Sequence, residues 1–358
     1  MLGTWSEVCV MTIRENVALA PLTTLGVGGP TRYLAEATSE DEVREAVMFA
    51  RTKNAPLFVL GGGSNLVVSD SGWPGLVLKV AIGGVTRSVS GSAALFDAGA
   101  GMDWDEFVAQ AVSENCAGIE CLSGIPGSVG GTPVQNVGAY GQDVSETIES
   151  VRALDRKEDR VVTIPKAACG FRYRASIFNT TERERYIILR VTFRLTAGAA
   201  PTVRYADLQD RFPAAGGPPS LAQVRSAVRQ IRQSKGMLIV PGDSDCRSAG
   251  SFFKNPVLSE AHFRDVADRA QSRGLKIPSY PALDAQRKVP AAWLVEHSGF
   301  RRGFMLGAAG ISNKHALAII NRGGAHAEEI IRLKDAIQQG VEREWKIVLE
   351  PEPVFVGF

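Results

Sequence analysis

Apolar and polar positions along the chain alternate between stretches of period two and stretches of helical period. After the extended segment "PLTTLGVGGPTRYLAEA", the run "SEDEVREAVMFARTKNA" sets Val43, Ala46, Val47 and Ala50 on one face of a helix opened by a capping box from Ser39 to Glu42. "APLFVLGGGSNLVVSD" then reads as a buried strand, a glycine run and a second β-branched segment. "GLVLKV", "VTRSVS" and "ALFDAGAG" continue the strand pattern, and Asp103 with Glu106 opens a helix through "WDEFVAQAVSEN". Further strands are expected at "ESVRALD", "RVVTI" and "YIILRVTFRL", the last alternating clearly.

The composition shift at "TAGAAPTVRYADLQDRFPAAGGPPS" predicts a linker and a domain boundary. Beyond it, Ser220 caps "LAQVRSAVRQIRQSK", with Leu221, Val224, Val228 and Ile231 in a helical stripe. Helices follow at 259–273, 290–297 and 326–345, with strand-like "FMLGAAG" and "ALAIIN" among them and a strand-like tail, "KIVLEPEPVFVGF". The fold class is therefore α+β.

Composition narrows the function. A chain of 358 residues, 45% hydrophobic, buries a large core and divides into compact units, as a soluble globular protein does. Its 40 basic and 38 acidic residues are interspersed, which argues against nucleic acid or membrane as the main partner. The cysteines at 9, 116, 121, 169 and 246 form no C-x-x-C pair and no metal-ligand spacing with the four histidines, so no metal is expected and a reducing cytoplasm is. The amino terminus lacks a signal-peptide core, and Met11 begins a more ordinary start, so residues 1–10 read as a disordered extension.

The informative stretches are rich in glycine. Residues 117–141, "AGIECLSGIPGSVGGTPVQNVGAYG", hold seven glycines and no sustained helical period, which predicts a long functional loop. "GGGSN" follows a strand but precedes "NLVVSDSGWPG", which has no helical period, so a phosphate nest of backbone N–H groups between two strands fits better than a dinucleotide-binding helix start. One such run is ordinarily a plain turn; the second, "SGIPGSVGG", favours the nest.

"GGGSNLVVSD", "LSGIPGSVGGTPVQNVGAYG", "GFRYRASIF", "AGSFFKNP" and "LEPEPVFVG" occur in an order that resembles the UDP-N-acetylenolpyruvoylglucosamine reductase family, flavoenzymes of peptidoglycan synthesis, from about residue 20 to 358. The resemblance implies an FAD-binding domain of the vanillyl-alcohol-oxidase (PCMH) type at 12–200, in two α+β lobes completed by the tail 346–358, and a smaller α+β substrate-binding domain at 215–345. It implies non-covalent FAD on Gly61, Gly62, Gly63, Ser64 and Asn65, and on Ile125, Gly127, Gly131, Thr132 and Gly138. NADPH is the implied hydride donor and UDP-N-acetylglucosamine enolpyruvate the substrate, reduced to UDP-N-acetylmuramate by a cytoplasmic monomer.

Hydride arriving at the methylene carbon leaves an enediolate carrying nearly two charges, which requires cationic groups and a proton. The resemblance assigns the proton to Ser251, charge stabilisation to Arg174, and a third catalytic role beside the substrate carboxylate to Glu352. Lys235, Asn255, Tyr205, Tyr280 and His315 match positions that contact the UDP-sugar, and Tyr140 and Tyr173 are expected to line the cavity. Arg225, Arg229 and Arg232 are read as surface residues, Cys246 as no nucleophile, and the insertion "MLIVPGDSDCR" has no assigned place. Ala175, Pro353 and Val354 depart from the usual aspartate, valine and arginine. Two other readings stay open: an FAD-dependent oxidase of alcohols or sugars with this fold, and a nucleotide-sugar-binding protein without catalysis.

Overall fold

The computed structural model describes residues 11–213, 216–282 and 284–358. The expected extension at 1–10, with Cys9, and the middle of the expected linker at 214–215 lie outside the described residues. The described residues form two compact units: 11–17, 31–62 and 73–228 in one, and 18–30, 63–72 and 229–358 in the other.

The first unit holds a sheet in the order Ile13–Ala18, Pro30–Ala37, Trp73–Val80, Leu57–Leu60. Trp73–Val80 runs parallel to both neighbours, a geometry that requires a crossover, and the helix Glu40–Thr52 supplies it. Ser39 accepts the Glu42 N–H at 3.2 Å, while the Glu42 carboxylate takes the Thr38 N–H, one residue earlier than the expected box. The buried face is the expected one: Val43, Ala46, Val47 and Ala50.

A second, antiparallel sheet runs Arg160–Pro165, Ile148–Asp155, Tyr186–Ala197, Ala93–Gly99, Val85–Ser90. In Tyr186–Ala197, Val191, Phe193 and Leu195 point into the core while Arg190, Thr192 and Arg194 face outward. The helix Trp104–Ser113, capped by Asp103 on the Glu106 N–H, packs Trp104 and Phe107 against Phe193, with ring centroids 5.7 and 5.0 Å apart. The segment read as a linker is partly structured: Ala206–Gln209 forms a helical turn and Leu208 is fully buried. Its apolar residues Val203, Leu208 and Phe212, scattered among prolines, glycines and charges, gave no sustained helical period to read.

In the second unit the helix Ala327–Trp345 buries Ile330, Leu333, Ile337, Val341 and Trp345 in a core shared with the strands Ala309–Ile311 and Ile319–Asn321. Its orphan amides are taken by the Asp70 carboxylate, which accepts from Ala327 at 2.9 Å and Glu328 at 3.1 Å. The tail strand Val354–Val356 pairs in parallel with Leu66–Val68, the β-branched segment after the first glycine run. Among the described residues no helix is long and apolar enough to cross a membrane.

Phe107 is fully buried at the centre of the aromatic cluster. Phe107→Ala is expected to lower the unfolding free energy by about 3–5 kcal/mol in denaturant titrations. A loss under about 1 kcal/mol contradicts the packing described.

Candidate functional site

The first unit brings the two glycine loops into backbone contact. A Cβ added to Gly62 falls 2.5 Å from the Gly127 Cα, and one on Gly61 falls 2.8 Å from the Ser128 Oγ. Only glycine permits this approach, because the obstructing atoms at Gly62 are main chain and cannot swing aside. Gly130 is crowded likewise by Ala100, whereas at Gly138 the nearest obstruction is the Asp143 carboxylate, a side chain that can turn away.

The amides of this cradle divide into two groups. Val129, Gly130, Gly131 and Thr132 donate to the carbonyls of Met102, Ala100, Ser128 and Val129, and the Thr132 hydroxyl also donates to Val129. The N–H groups of Gly61, Gly62, Gly127 and Ser128 donate to no carbonyl among the described residues. Ser128 Oγ is buried with no hydrogen-bond partner in the structure. A buried orphan hydroxyl beside uncommitted amides fits the anionic phosphates of FAD, which would satisfy both. Gly131 and Thr132 shape the loop, and Ser128 is a site residue that the sequence reading passed over. Its signal was its place between Gly127 and Val129 in "PGSVGG".

Beside the second loop, Arg172 and Ala175 exchange both backbone hydrogen bonds, at 2.9 and 3.1 Å, so Tyr173 and Arg174 form the tip of a tight turn. Arg174 has φ +53°, a left-handed conformation that costs a side-chain-bearing residue on the order of 1–3 kcal/mol and clusters at functional sites. The surroundings enforce it: Asn179 donates to the Arg174 carbonyl at 3.2 Å, Asn136 to the Arg172 carbonyl at 3.1 Å, and Arg174 Nη2 to the Gly138 carbonyl at 2.9 Å. The guanidinium lies 5.3 Å from the Tyr173 ring centroid. Ala175 serves this turn through its backbone, so the missing aspartate leaves the turn closed. Tyr140, at φ +50°, meets the Tyr205 ring edge to face at 5.4 Å. Tyr173 and Tyr205 are both exposed. Arg174, Gly138, Tyr173 and the Tyr140–Tyr205 pair thus belong to one unit.

The second unit assembles the serine and the tail glutamate. Gly250, at φ +75° with open space where a Cβ would stand, turns the chain so that Ser251 precedes the buried Phe252 and Phe253. The Phe252 N–H donates to Leu317 at 2.8 Å, and its carbonyl accepts from the Glu352 N–H at 2.9 Å. Glu352 is held again by Asn65, whose Nδ2 donates to the Glu352 carbonyl at 3.2 Å and whose own carbonyl accepts the Val354 N–H at 2.9 Å. Val354 therefore acts through its main chain, on which the usual arginine side chain is not required. The Ser251 hydroxyl makes no hydrogen bond among the described residues.

Leu317 closes the loop that carries His315, whose Nδ1 accepts the Leu317 N–H at 3.1 Å. Burial, reinforced by the charges of Lys235 and Arg302, pushes His315 down to about 4. Asn255 directs its Oδ1 to the Ala291 N–H at 2.9 Å, at the start of the helix Ala291–Glu296, and Tyr280 lies exposed on a short strand. The insertion finds its place on this same unit: Asp245 accepts the Asn313 N–H at 3.0 Å, and Lys314 pairs with Asp243. Cys246 is buried with its thiol directed at the carbonyls of Val240 and Asp243, a structural contact.

Two arginines read as surface are not. Arg225 is forked onto Asp105, whose carboxylate also accepts the Gly124 N–H, and Arg232 is buried with Nη2 donating to Met237 at 2.6 Å. Among the described residues no group of His, Cys, Asp or Glu could hold a metal ion.

A family model described as "FAD binding domain" matches residues 31–164, and one described as "UDP-N-acetylenolpyruvoylglucosamine reductase, C-terminal domain" matches residues 241–356. The chain is 45% identical over 349 residues to the UDP-N-acetylenolpyruvoylglucosamine reductase of Thermobifida fusca, spanning 96% of this chain and 98% of that protein. It is 45% identical over 356 residues to the reductase of Streptomyces avermitilis, spanning 96% and 94%. The solved structure of the Thermus caldophilus reductase superposes with a TM-score of 0.66 at 25% identity, covering 97% of this chain and 99% of that one. With matches of this strength along nearly its whole length, the chain belongs to the UDP-N-acetylenolpyruvoylglucosamine reductase family, FAD-dependent oxidoreductases of peptidoglycan synthesis.

Proposed function

We propose that this chain reduces UDP-N-acetylglucosamine enolpyruvate to UDP-N-acetylmuramate with NADPH as hydride donor, working as a cytoplasmic monomer. Residues 12–200 with 346–358 serve FAD in this reading, and 215–345 serve the UDP-sugar. The observation that carries it is Ser251: a hydroxyl uncommitted among the described residues, on a backbone clamped at the next residue by Leu317 and Glu352. A nucleophilic serine needs a base; an acid that quenches a carbanion needs only its own proton and a fixed position.

Bound FAD supplies the two-electron relay from NADPH to the enolpyruvyl methylene carbon. The neighbouring carbon then bears the negative charge, delocalised into the carboxylate, and Ser251 Oγ gives it a proton that solvent later restores. The Arg174 fork, a shape matched to carboxylates, stabilises that charge from its strained turn. Glu352 stands beside the substrate carboxylate, its backbone position fixed by Phe252 and Asn65. Gly61, Gly62, Gly63, Ser64 and Asn65, with Ile125, Gly127 and Gly138, hold the cofactor in this reading, while Gly131 and Thr132 serve it by keeping the second loop in shape. Tyr140, Tyr173, Tyr205, Lys235, Asn255, Tyr280 and His315 receive the UDP-sugar, with His315 neutral.

Anaerobic stopped-flow tests the chemistry. NADPH is expected to bleach the flavin absorbance and the enolpyruvyl substrate to restore it. Ser251→Ala should leave the first step intact and slow the second at least about a hundredfold. Reoxidation at the normal rate means that another group supplies the proton. His315 carries a second test. Its folded value of about 4 lies below the ordinary 6.5, so its contribution to stability is complete above about pH 6.5 and declines as the pH falls to about 4. An NMR titration should find the His315 ring neutral at pH 5.5; a midpoint near 6.5 contradicts its burial beside Lys235.

A further inference from the structure

Glu120 is a carboxylate with no exposed surface near the start of the second glycine-rich stretch, and it is not among the residues assigned above to FAD, substrate or chemistry. Its Oε2 accepts the Gly118 N–H at 2.7 Å. Its Oε1 accepts two donors, the Gln142 side-chain amide and the Thr202 backbone N–H, both at 2.9 Å. The same Gln142 returns its Oε1 to the Cys121 N–H at 2.8 Å, and the Cys121 thiol is directed at the Thr202 carbonyl at 3.1 Å. Thr202 is thus gripped on both faces of its backbone by consecutive residues. Burial pushes the Cys121 thiol far up, which keeps the S–H a donor throughout the neutral range.

The gripped segments are the two that carry the tyrosine pair. Gln142 lies in the hairpin Gly138–Ala139/Gln142–Asp143, whose tip is Tyr140 and Gly141. Thr202 precedes Tyr205 by three positions, and downstream Leu208 is buried. Gly141, at φ +84°, leaves only 3.1 Å between its missing Cβ and the Arg204 Cβ, so the two segments touch at the tyrosines themselves. Burying a carboxylate is costly unless every lone pair is used, and here a single anion ties both stems together.

The geometry points to Glu120, with Cys121 and Gln142, as the positioning device that sets the Tyr140–Tyr205 pair and thereby the affinity for the UDP-sugar. This rests on the reading that Tyr205 contacts that substrate. The carboxylate is fully buried and its oxygens are taken by Gly118, Gln142 and Thr202, so in this proposal it acts on binding rather than on the proton or hydride steps.

Steady-state kinetics of Glu120→Gln, Cys121→Ala, Cys121→Ser and Tyr205→Ala holoenzymes test it, alongside trypsin cleavage after the exposed Arg204 followed by mass spectrometry. Replacing the carboxylate by an amide turns one acceptor toward a donor. Glu120→Gln is expected to raise KM for the UDP-sugar about tenfold, with kcat within about twofold and the flavin content unchanged. Cys121→Ala, which buries no new polar group, should raise KM in the same direction, Cys121→Ser should restore it, and cleavage after Arg204 should quicken in the first two variants only. If Tyr205→Ala raises KM while Glu120→Gln and Cys121→Ala leave KM and cleavage unchanged, the positioning role is overturned and the substrate reading stands. If Tyr205→Ala leaves KM unchanged, the substrate reading falls and the proposal falls with it. Loss of flavin together with kcat in the folded variants assigns Glu120 to general scaffolding and likewise overturns it.

Discussion

Everything proposed for the first unit depends on one steric fact, the contact of two main chains at Gly61–Gly62 and Gly127–Ser128. Side chains cannot enter that gap, so the surfaces left to meet a ligand are peptide groups and one buried hydroxyl. Peptide N–H groups aimed at a common point hold an anion without bringing in a countercharge, which leaves a cationic residue such as Arg174 available for a different anion. The second loop keeps its shape because its later amides are already committed, in the turn Val129–Thr132 and to Ala100 and Met102. Division of labour within one short loop follows: the early amides donate to no carbonyl among the described residues, and the late ones hold the fold.

The second unit solves a different problem, the fixing of a short acid and a tail carboxylate that lie about a hundred residues apart in sequence. Main-chain bonds do most of this. Phe252 receives Glu352, Asn65 receives both Glu352 and Val354, and the tail strand runs beside Leu66–Val68. Asn65 was read as a cofactor residue, and it also locks the tail in place. Such bonds ignore side-chain identity, which explains how Val354 can stand where an arginine is usual without disturbing the register.

Local pattern made most of the fold legible. The helices Glu40–Thr52 and Trp104–Ser113 start where Ser39 and Asp103 said they would, because an N-cap side chain acts on amides two or three residues away. What the sequence concealed is long-range. Asp70 caps a helix that begins more than two hundred and fifty positions later, and Arg225 finds its carboxylate on Asp105. Glycine runs announced a loop, but only the coordinates separate Gly62, which no other residue could replace, from Gly250, where the positive φ is the sole demand. Glu120 was visible as a lone carboxylate in an apolar, glycine-rich stretch, and its three partners were not.

The loop contact is tested most directly by the FAD content of purified Gly62→Ala, measured by absorbance, with far-UV circular dichroism to confirm folding. A methyl group 2.5 Å from the Gly127 Cα forces the loops apart. The expected result is a folded protein whose FAD dissociation constant rises about tenfold or more, the scale of a backbone shift costing about 1–3 kcal/mol. A folded variant with full flavin occupancy and an unchanged dissociation constant would contradict the claim that this contact forms the cofactor cradle.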